Sequence, residues 1–482
     1  MSLSASVEAA FSDCADFEAR CIYLAGEKRH SLRFCFLDGL VSGADIGRFV
    51  LMQIGDRERF GAFVSEKAAL EKICGGLAAN YTVRRREKTE DVINDIANGC
   101  CALFFDHEGE ALTFEVKSDV RRQVSEPLGE KVVKGAKDAF VETIRMNTAL
   151  VRKKIRSPAL KIEETYVGER SRTKVAVLFI DGLTNPEYRQ EILRRLSETR
   201  IDGMISPAAF EEYIANGAKS PFPLYINTER ADRLCSHLLA GHVGVLIDGL
   251  PLGYILPATL PQQMHSPEDR AEHFITASAL SVLRWASLFI TLLLPAIYVA
   301  VATYHQEMLP TKLMMAIIQS KQNVPFSTAS EVLGMLAAFE LLQEAGLRLP
   351  QPSGDTVSII GALIVGQSAV EAKVVSPVVV IVVAVAGVTG YTVPSQDLGA
   401  ALRLCRFALT AAAVAAGFFG LMITGVLLVM HLASLECLGT PYLSPLPHGG
   451  AAAALRAALR FPLRADKYRE AELRPLDRRN QK

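Results

Sequence analysis

The sequence predicts an α/β cytosolic N-terminal region of two small subdomains, followed by an all-α polytopic membrane domain. Three observations carry that reading. Long apolar runs crowd the stretch between Arg284 and Ser434. Before them, short apolar strands alternate with Asp-Gly turns and helical patterns. Bulk composition mixes two kinds of chain: half the residues are hydrophobic and mean hydropathy is positive, yet 22% are charged. At 482 residues the chain is too long for one ordinary core. Its zero net charge gives no global attraction to nucleic acid.

The membrane block rests on length. A bilayer core takes about 20 apolar residues as a helix. Residues 285–304 carry no charge, and residues 407–432 are apolar and longer still. Residues 357–370 and 374–393 reach that length with a few polar positions. A soluble helix of such length needs a polar face, and these runs have none. The first residues include Glu8, Asp13, Asp16 and Glu18, unlike the basic and apolar start of a signal peptide. The region ahead of the block is therefore expected in the cytosol. Nine scattered cysteines without a CxxC agree with reduced thiols.

In the soluble half, a strand, an Asp-Gly turn and a helical pattern recur. The turns are Asp38-Gly39, Asp181-Gly182 and Asp248-Gly249. Asp-Gly favours tight turns because both residues tolerate positive φ. The recurrence divides this half into an N-terminal segment (1–20), subdomain I (21–156) and subdomain II (157–262), the two being related units. An Asp closing a strand can also sit at a ligand crevice, but no glycine-rich phosphate loop follows any of the three. Two basic clusters, Arg84-Arg85-Arg86 and Arg152-Lys153-Lys154 with Arg156, are either contacts for anionic lipid head groups or solvated surface balanced by Glu87, Glu90, Glu163 and Glu164. The histidines lack metal-ligand spacing, and no nucleophile–base arrangement is legible. The expectation is a protein that is not an enzyme and needs no cofactor.

The membrane domain (263–435) is expected to hold about four spans plus an amphipathic helix. Pro295 lies inside the first span, and His305, Gln306 and Glu307 follow at its end. These polar residues mark either the exit from the bilayer or the mouth of a pore. Residues 311–349 carry Glu331, Glu340 and Glu344 among apolar positions, as an interfacial helix or a span with buried carboxylates. Next come Gly361, Gly366, Gln367 and Glu371. Gln367 and Glu371 share a helix face, so this segment either lines a pore or ends a packed span at Glu371 and Lys373. Ser376-Pro377 opens another span, Pro394 closes it, and Arg403 and Arg406 precede the last, which holds Gly417, Gly420 and Gly425. The tail (436–482) is basic and is expected on the cytosolic side. With a cytosolic N-terminal region, that requires an even number of spans.

An ordered series of motifs identifies a family. It includes Ser220-Pro221-Phe222-Pro223, Thr228-Glu229-Arg230, the run ending in Asp248-Gly249, Ser266-Pro267-Glu268-Asp269, Leu294-Pro295-Ala296-Ile297-Tyr298 and His305-Gln306-Glu307-Met308. Further on stand Gly361, Gly366-Gln367, Val375-Ser376-Pro377 and Gly439-Thr440-Pro441-Tyr442. Residues 145–150 extend the series into the soluble half. Over residues 31–445 the chain resembles the GerA family, the A subunits of spore germinant receptors. Two positions depart from the family pattern: Leu224-Tyr225-Ile226 follows Pro-Phe-Pro where a Gln is usual, and Lys373 stands where a Gly is usual. The resemblance implies a nutrient-sensing subunit in the spore inner membrane. Its partners would be a permease-like B subunit, a lipoprotein C subunit, membrane lipid and further copies of itself. It also implies an oligomeric ligand-gated ion channel, with Pro295, Gln306, Glu307, Glu340, Gly361, Gly366, Gln367 and Glu371 as pore or gating residues. A non-conducting scaffold, a secondary transporter and a related germination-stage membrane protein of the same family are the alternatives.

Overall fold

The computed structural model describes residues 2–23, 31–47, 52, 65–77, 82–118, 127, 129–130, 132–216, 220–348, 366–446 and 450–480. They fall into two compact units. The first comprises Met1–Ala218, Tyr225–Pro257 and Leu463–Lys482; the second comprises Lys219–Leu224 and Ala258–Pro462.

The first unit contains two five-stranded sheets. Sheet one is built from β1 (Phe17–Tyr23), β2 (Ser31–Leu37), β3 (Val83–Arg86), β4 (Cys101–Phe105) and β5 (Glu110–Phe114), in the order β1-β2-β4-β5-β3. Sheet two is built from β6 (Leu160–Val167), β7 (Thr173–Ile180), β8 (Ile226–Thr228), β9 (Val243–Ile247) and β10 (Gly253–Leu256), in the order β6-β7-β9-β10-β8. The two orders are the same pattern shifted by five strands, and every pairing is antiparallel. The repeat read from short strand–turn–helix segments is thus a repeat of topology. Both faces of sheet one are covered, which is why β4 is apolar at every position. Leu32, Phe34 and Leu103 face one core, while Cys35, Leu37 and Phe104 face another, with Val92 and Ile96 of the helix Thr89–Ala97.

One helix, Ile144–Lys154, ties the sheets together. Arg152 is buried and grips Asp16 with two hydrogen bonds of 2.8 Å, and its Nη1 donates to the Leu160 carbonyl at 2.8 Å. Asn147, fully buried, accepts from the Val141 amide and donates back to the Val141 carbonyl. Two of the Asp-Gly turns dock at the start of this helix. Asp38 pairs with Arg145 at 3.1 Å, and Asp248 accepts from the Ile144 amide at 3.0 Å. Gly39 has φ +87° and lies so close to the Arg145 carbonyl that a Cβ would stand 3.1 Å from it. Any side chain there would be strained and crowded.

The basic clusters are largely satisfied within the fold. Arg86 pairs with Asp95 at 2.9 Å, Arg85 with Glu110, and Arg84 with Glu115 at 3.5 Å. Arg152 is buried, and Lys154 pairs with Asp138 at 2.9 Å. Lipid contact by Arg152 is therefore overturned, because its charge is spent on Asp16.

The tail also divides differently from the expected single segment. Residues 463–482 join the first unit: Leu476 donates to the Leu183 carbonyl at 2.9 Å and Arg469 to the Leu239 carbonyl at 3.0 Å. The helix Gly450–Ala458 belongs to the second unit, as do residues 258–262.

Removing one partner of a buried ion pair strands the other charge, at a cost of about 3–5 kcal/mol. Asp16→Asn is expected to destabilise the first unit by that amount. Loss of hydrogen-exchange protection in β2 and β6 of the full chain is the readout. The double variant Asp16→Leu/Arg152→Met should recover most of the protection. Full protection in Asp16→Asn would refute the clamp.

Candidate functional site

The second unit is helical. Among the described residues, two helices are long and apolar enough to cross a membrane, Phe274–Thr303 and Gln396–Ser434, and Pro377–Gly390 is shorter and apolar. Between them lie Thr311–Lys321 and Thr328–Arg348, two helices where the sequence reading had one stretch. Pro325 sits in the break.

Several of the motifs that mark the family lie ahead of the first long helix or pack with one another. Ser266 and Asp269 cap each other's turn, and Asp269 takes the Arg284 guanidinium through two hydrogen bonds of 2.5 and 2.7 Å. Burial opposes the charge of Asp269, but His265 and Arg284 hold its carboxyl well below the usual carboxylate range. Phe222 of Pro-Phe-Pro packs near Tyr442 and His431, and the Ser220 hydroxyl meets His431 Nε2 at 2.9 Å. Tyr442 is fully buried, and its carbonyl accepts from the Leu260 amide at 2.8 Å.

The second long helix is broken. Ala416 and Gly417 leave helical geometry, Gly417 at φ +60° and ψ −139°. Residues eight apart in a straight helix are separated by about 12 Å. Here Gly420 lies against Ala412, and a Cβ on it would stand 2.2 Å from the Ala412 carbonyl oxygen. The chain therefore bends back sharply, and residues 407–432 are not one straight span as expected. Tyr304, the residue after the first long helix, fits the bend. Its ring lies where a Gly417 Cβ would be 3.1 Å away, and its hydroxyl donates to the Val414 carbonyl at 2.7 Å. A helix break frees carbonyls, and an apolar surround requires the protein to satisfy them.

Two ionic clusters lie within the helices. Glu331 is buried, pairs with Lys321 at 3.2 Å and accepts from the Ser376 amide at 2.8 Å, fixing the start of the helix Pro377–Gly390. Glu340 meets Arg403 at 3.1 Å and Arg406 at 3.6 Å. Arg406 is 1% exposed. With Arg403 it lines a small cleft together with Thr291, Gln343, Gly390 and Gly399.

The predicted site residues fall into separate places. Gln367 Nε2 donates to Glu371 Oε1 at 2.9 Å, so the two share a face as their spacing required, and that face is exposed on the single chain. Gly366 is half-buried beside Val380, and Gly361 lies outside the described residues. Pro295 is buried inside a helix that continues past it. Gln306 caps that helix by donating to the Ala302 carbonyl at 3.0 Å, and Glu307 is exposed beside His305. Only Glu340 enters the cleft's charge cluster. Sequence reasoning did not single out Tyr304 or the pairing of Arg403 and Arg406 with Glu340. The available signal was two arginines leading directly into an apolar run, which in a bilayer need partners. Lys373 adopts φ +56°, a backbone conformation that glycine takes freely, at the position where the family pattern has glycine.

The molecule is thus a two-part chain: a duplicated α/β unit joined to an apolar helical unit with buried charges. The family model described as Bacillus/Clostridium GerA spore germination protein matches residues 5–472, and the chain belongs to that family. Spore germination protein A1 of Bacillus subtilis (strain 168) is 38% identical over 359 residues, covering 74% of each chain. Spore germination protein B1 of the same organism is 33% identical over 423 residues, covering 87% of this chain and 86% of the relative. The uncharacterized membrane protein YfkQ, also of that organism, is 38% identical over 353 residues, covering 73% and 69%. Among solved structures, the N-terminal domain of the A subunit of the Bacillus megaterium spore germinant receptor GerK3 aligns with a TM-score of 0.43 at 24% identity. That alignment covers 53% of this chain and 94% of the solved one.

Tyr304→Phe keeps the ring at Gly417 and deletes the hydroxyl. Interhelical hydrogen bonds in membranes contribute about 0.6–1.7 kcal/mol, so the melting temperature in detergent should fall by a correspondingly small step; an unchanged value would remove the hydroxyl from the bend's support. Gly387 packs under Phe339, whose ring would be 2.4 Å from a Cβ. Gly387→Leu should therefore cost about 1–3 kcal/mol by overpacking, and Phe339→Ala in the same chain should relieve it.

Proposed function

We propose that this member of the spore germination family is the A subunit of a germinant receptor that acts as an oligomeric, ligand-gated ion channel in the spore inner membrane. It assembles with permease-like B and lipoprotein C subunits and gates ion flow rather than catalysing a reaction. The observation that carries this reading is the bent, braced helix of an apolar unit that also buries ionic clusters. Ionisable groups inside a membrane are costly and typically mark ion or substrate paths. The limb after the bend exposes Phe419, Met422, Val426, Leu427 and Met430, a surface suited to lipid or to another subunit.

Membership of residues 463–482 in the same unit as the N-terminal sheets supports placing both on one side of the membrane, with an even number of crossings. A bilayer cannot divide a compact unit. The cytosolic side is favoured by the basic residues of the tail. Gln367 and Glu371, exposed on the single chain, are available to line a pore in a ring of copies.

A secondary transporter has one observation in its favour, since broken helices build transporter sites near the bilayer midplane. This break lies beside Tyr304, past the end of the neighbouring long helix rather than at its middle.

The test is ion release from spores carrying variant chains at equal protein level. Gly417→Ala forces a side chain onto a glycine conformation, which costs about 1–3 kcal/mol. Release should slow about tenfold, the equivalent of 1.4 kcal/mol. Gln367→Ala and Glu371→Ala should change ion preference or gating. Normal release from all three would leave the chain a scaffold for conduction elsewhere, and saturable substrate-coupled flux would make it a transporter.

A further inference from the structure

We propose that the outer edge of β1 pairs with the same edge of a second copy of this chain, running antiparallel with Ala19 on the two-fold axis. This deepens the oligomeric reading above by naming one contact between copies. β1 is the outermost strand of sheet one, bonded within that sheet to β2 alone. Ala19, Arg20 and Cys21 in its middle are exposed. Just ahead of the strand, the Asp16 carbonyl accepts from the Asp38 amide at 2.8 Å. Backbone groups alternate in direction along an antiparallel pair, so Glu18, Arg20 and Ile22 turn theirs to β2. Ala19, Cys21 and Tyr23 then turn theirs outward. The Phe17 amide also points outward, where it donates to the Cys14 carbonyl at 3.0 Å. An edge of outward N–H and C=O groups is a template for a further strand.

The charge pattern chooses both the occupant and the register. Glu18 and Arg20 are two apart and share a face of the sheet. Arg20 lies over the Phe36 ring at 5.9 Å and meets Glu18 at 3.3 Å, with 64% of its side chain and 40% of that of Glu18 exposed. With Ala19 facing the partner's Ala19, Glu18 stands directly opposite the partner's Arg20, and Arg20 opposite the partner's Glu18. Moving the axis one residue back sets two Glu18 carboxylates opposite each other. Moving it one residue on does the same to two Arg20 guanidinium groups. Like charges directly opposite are destabilising. Glu-Ala-Arg is thus self-complementary in one register, as a closed two-fold contact requires. The Ala15 amide donates to the Ile162 carbonyl at 2.8 Å, so β6 takes over the edge there and the pairing is confined to residues 17–21. So short a contact is weak between free molecules and gains from both copies being held in one membrane.

The test is disulfide cross-linking of the full chain in isolated membranes, with the exposed Cys74 replaced by Ser. In that background, Ala19→Cys/Cys21→Ser is oxidised and the covalent dimer is measured. Residues exchanging both hydrogen bonds across an antiparallel pair stand about 5.5 Å apart, within the span of a disulfide, so this variant should give a dimer. The chain that keeps Ala19 and Cys21 should not, because its thiols are offset by four residues, about 14 Å along the strand. Adding Glu18→Arg should cut the dimer yield of the Ala19→Cys chain about tenfold, the equivalent of 1.4 kcal/mol. The swap Glu18→Arg/Arg20→Glu should restore it. Melting temperatures of the reduced chains should not differ, since both side chains are exposed. No dimer from Ala19→Cys, a dimer through Cys21, an unchanged yield with Glu18→Arg, or a covalent product with a different protein overturns the proposal. Absence of the dimer with normal ion release sinks the contact alone, and a dimer in a chain that fails the conduction test sinks the channel alone.

Discussion

A polar group inside an apolar helical unit is costly unless the protein meets it, because hydrocarbon offers it no hydrogen bond. That constraint organises the second unit. The bend at Gly417 can exist because the Tyr304 hydroxyl takes up a freed carbonyl. The helix Pro377–Gly390 starts where it does because Glu331 receives the Ser376 amide, and Lys321 in turn neutralises Glu331. The first long helix starts from a second such arrangement, in which Asp269 meets Arg284. The Tyr304 and Glu331 contacts join residues distant in the chain, so they help to set the register between helices.

The soluble unit obeys a related rule with a different solvent. Asp16 and Arg152 are both buried, and each is affordable only because of the other. The pair holds the segment before β1 to the helix Ile144–Lys154, and that helix receives two of the three Asp-Gly turns. The turns thereby gain a second role. They close strands locally, and they position one repeat of the topology against the other.

What was legible in the sequence was mostly local. Asp-Gly turns read correctly because positive φ is a property of the dipeptide: Gly39, Gly182 and Gly249 all adopt it. The pairing of Gln367 with Glu371 followed from helical spacing. Two soluble repeats were legible from recurring apolar strands, although their shared strand order was not. The failures came from partners far apart in the chain. Arg152 looked like part of a surface cluster because Asp16 is invisible from its neighbourhood. Gly417 stands in the sequence only as one of three glycines in the last run, because Tyr304, which braces its bend, lies at the end of another helix. Arg403 and Arg406 stand in the sequence only as charges ahead of the last apolar run, because Glu340 belongs to a helix read separately. Apolar periodicity reports burial, and it is silent about which buried group meets which.

The return of residues 463–482 to the first unit has a consequence for how the protein is made. The chain leaves that unit at Pro257 and re-enters it at Leu463. Every apolar helix is therefore synthesised before the last piece of the soluble unit emerges from the ribosome. Both sheets can fold early, since all ten of their strands precede Pro257. The contacts of Leu476 with Leu183 and of Arg469 with Leu239 form only afterwards. The tail acts as a seal applied to the soluble unit after the helices have been made.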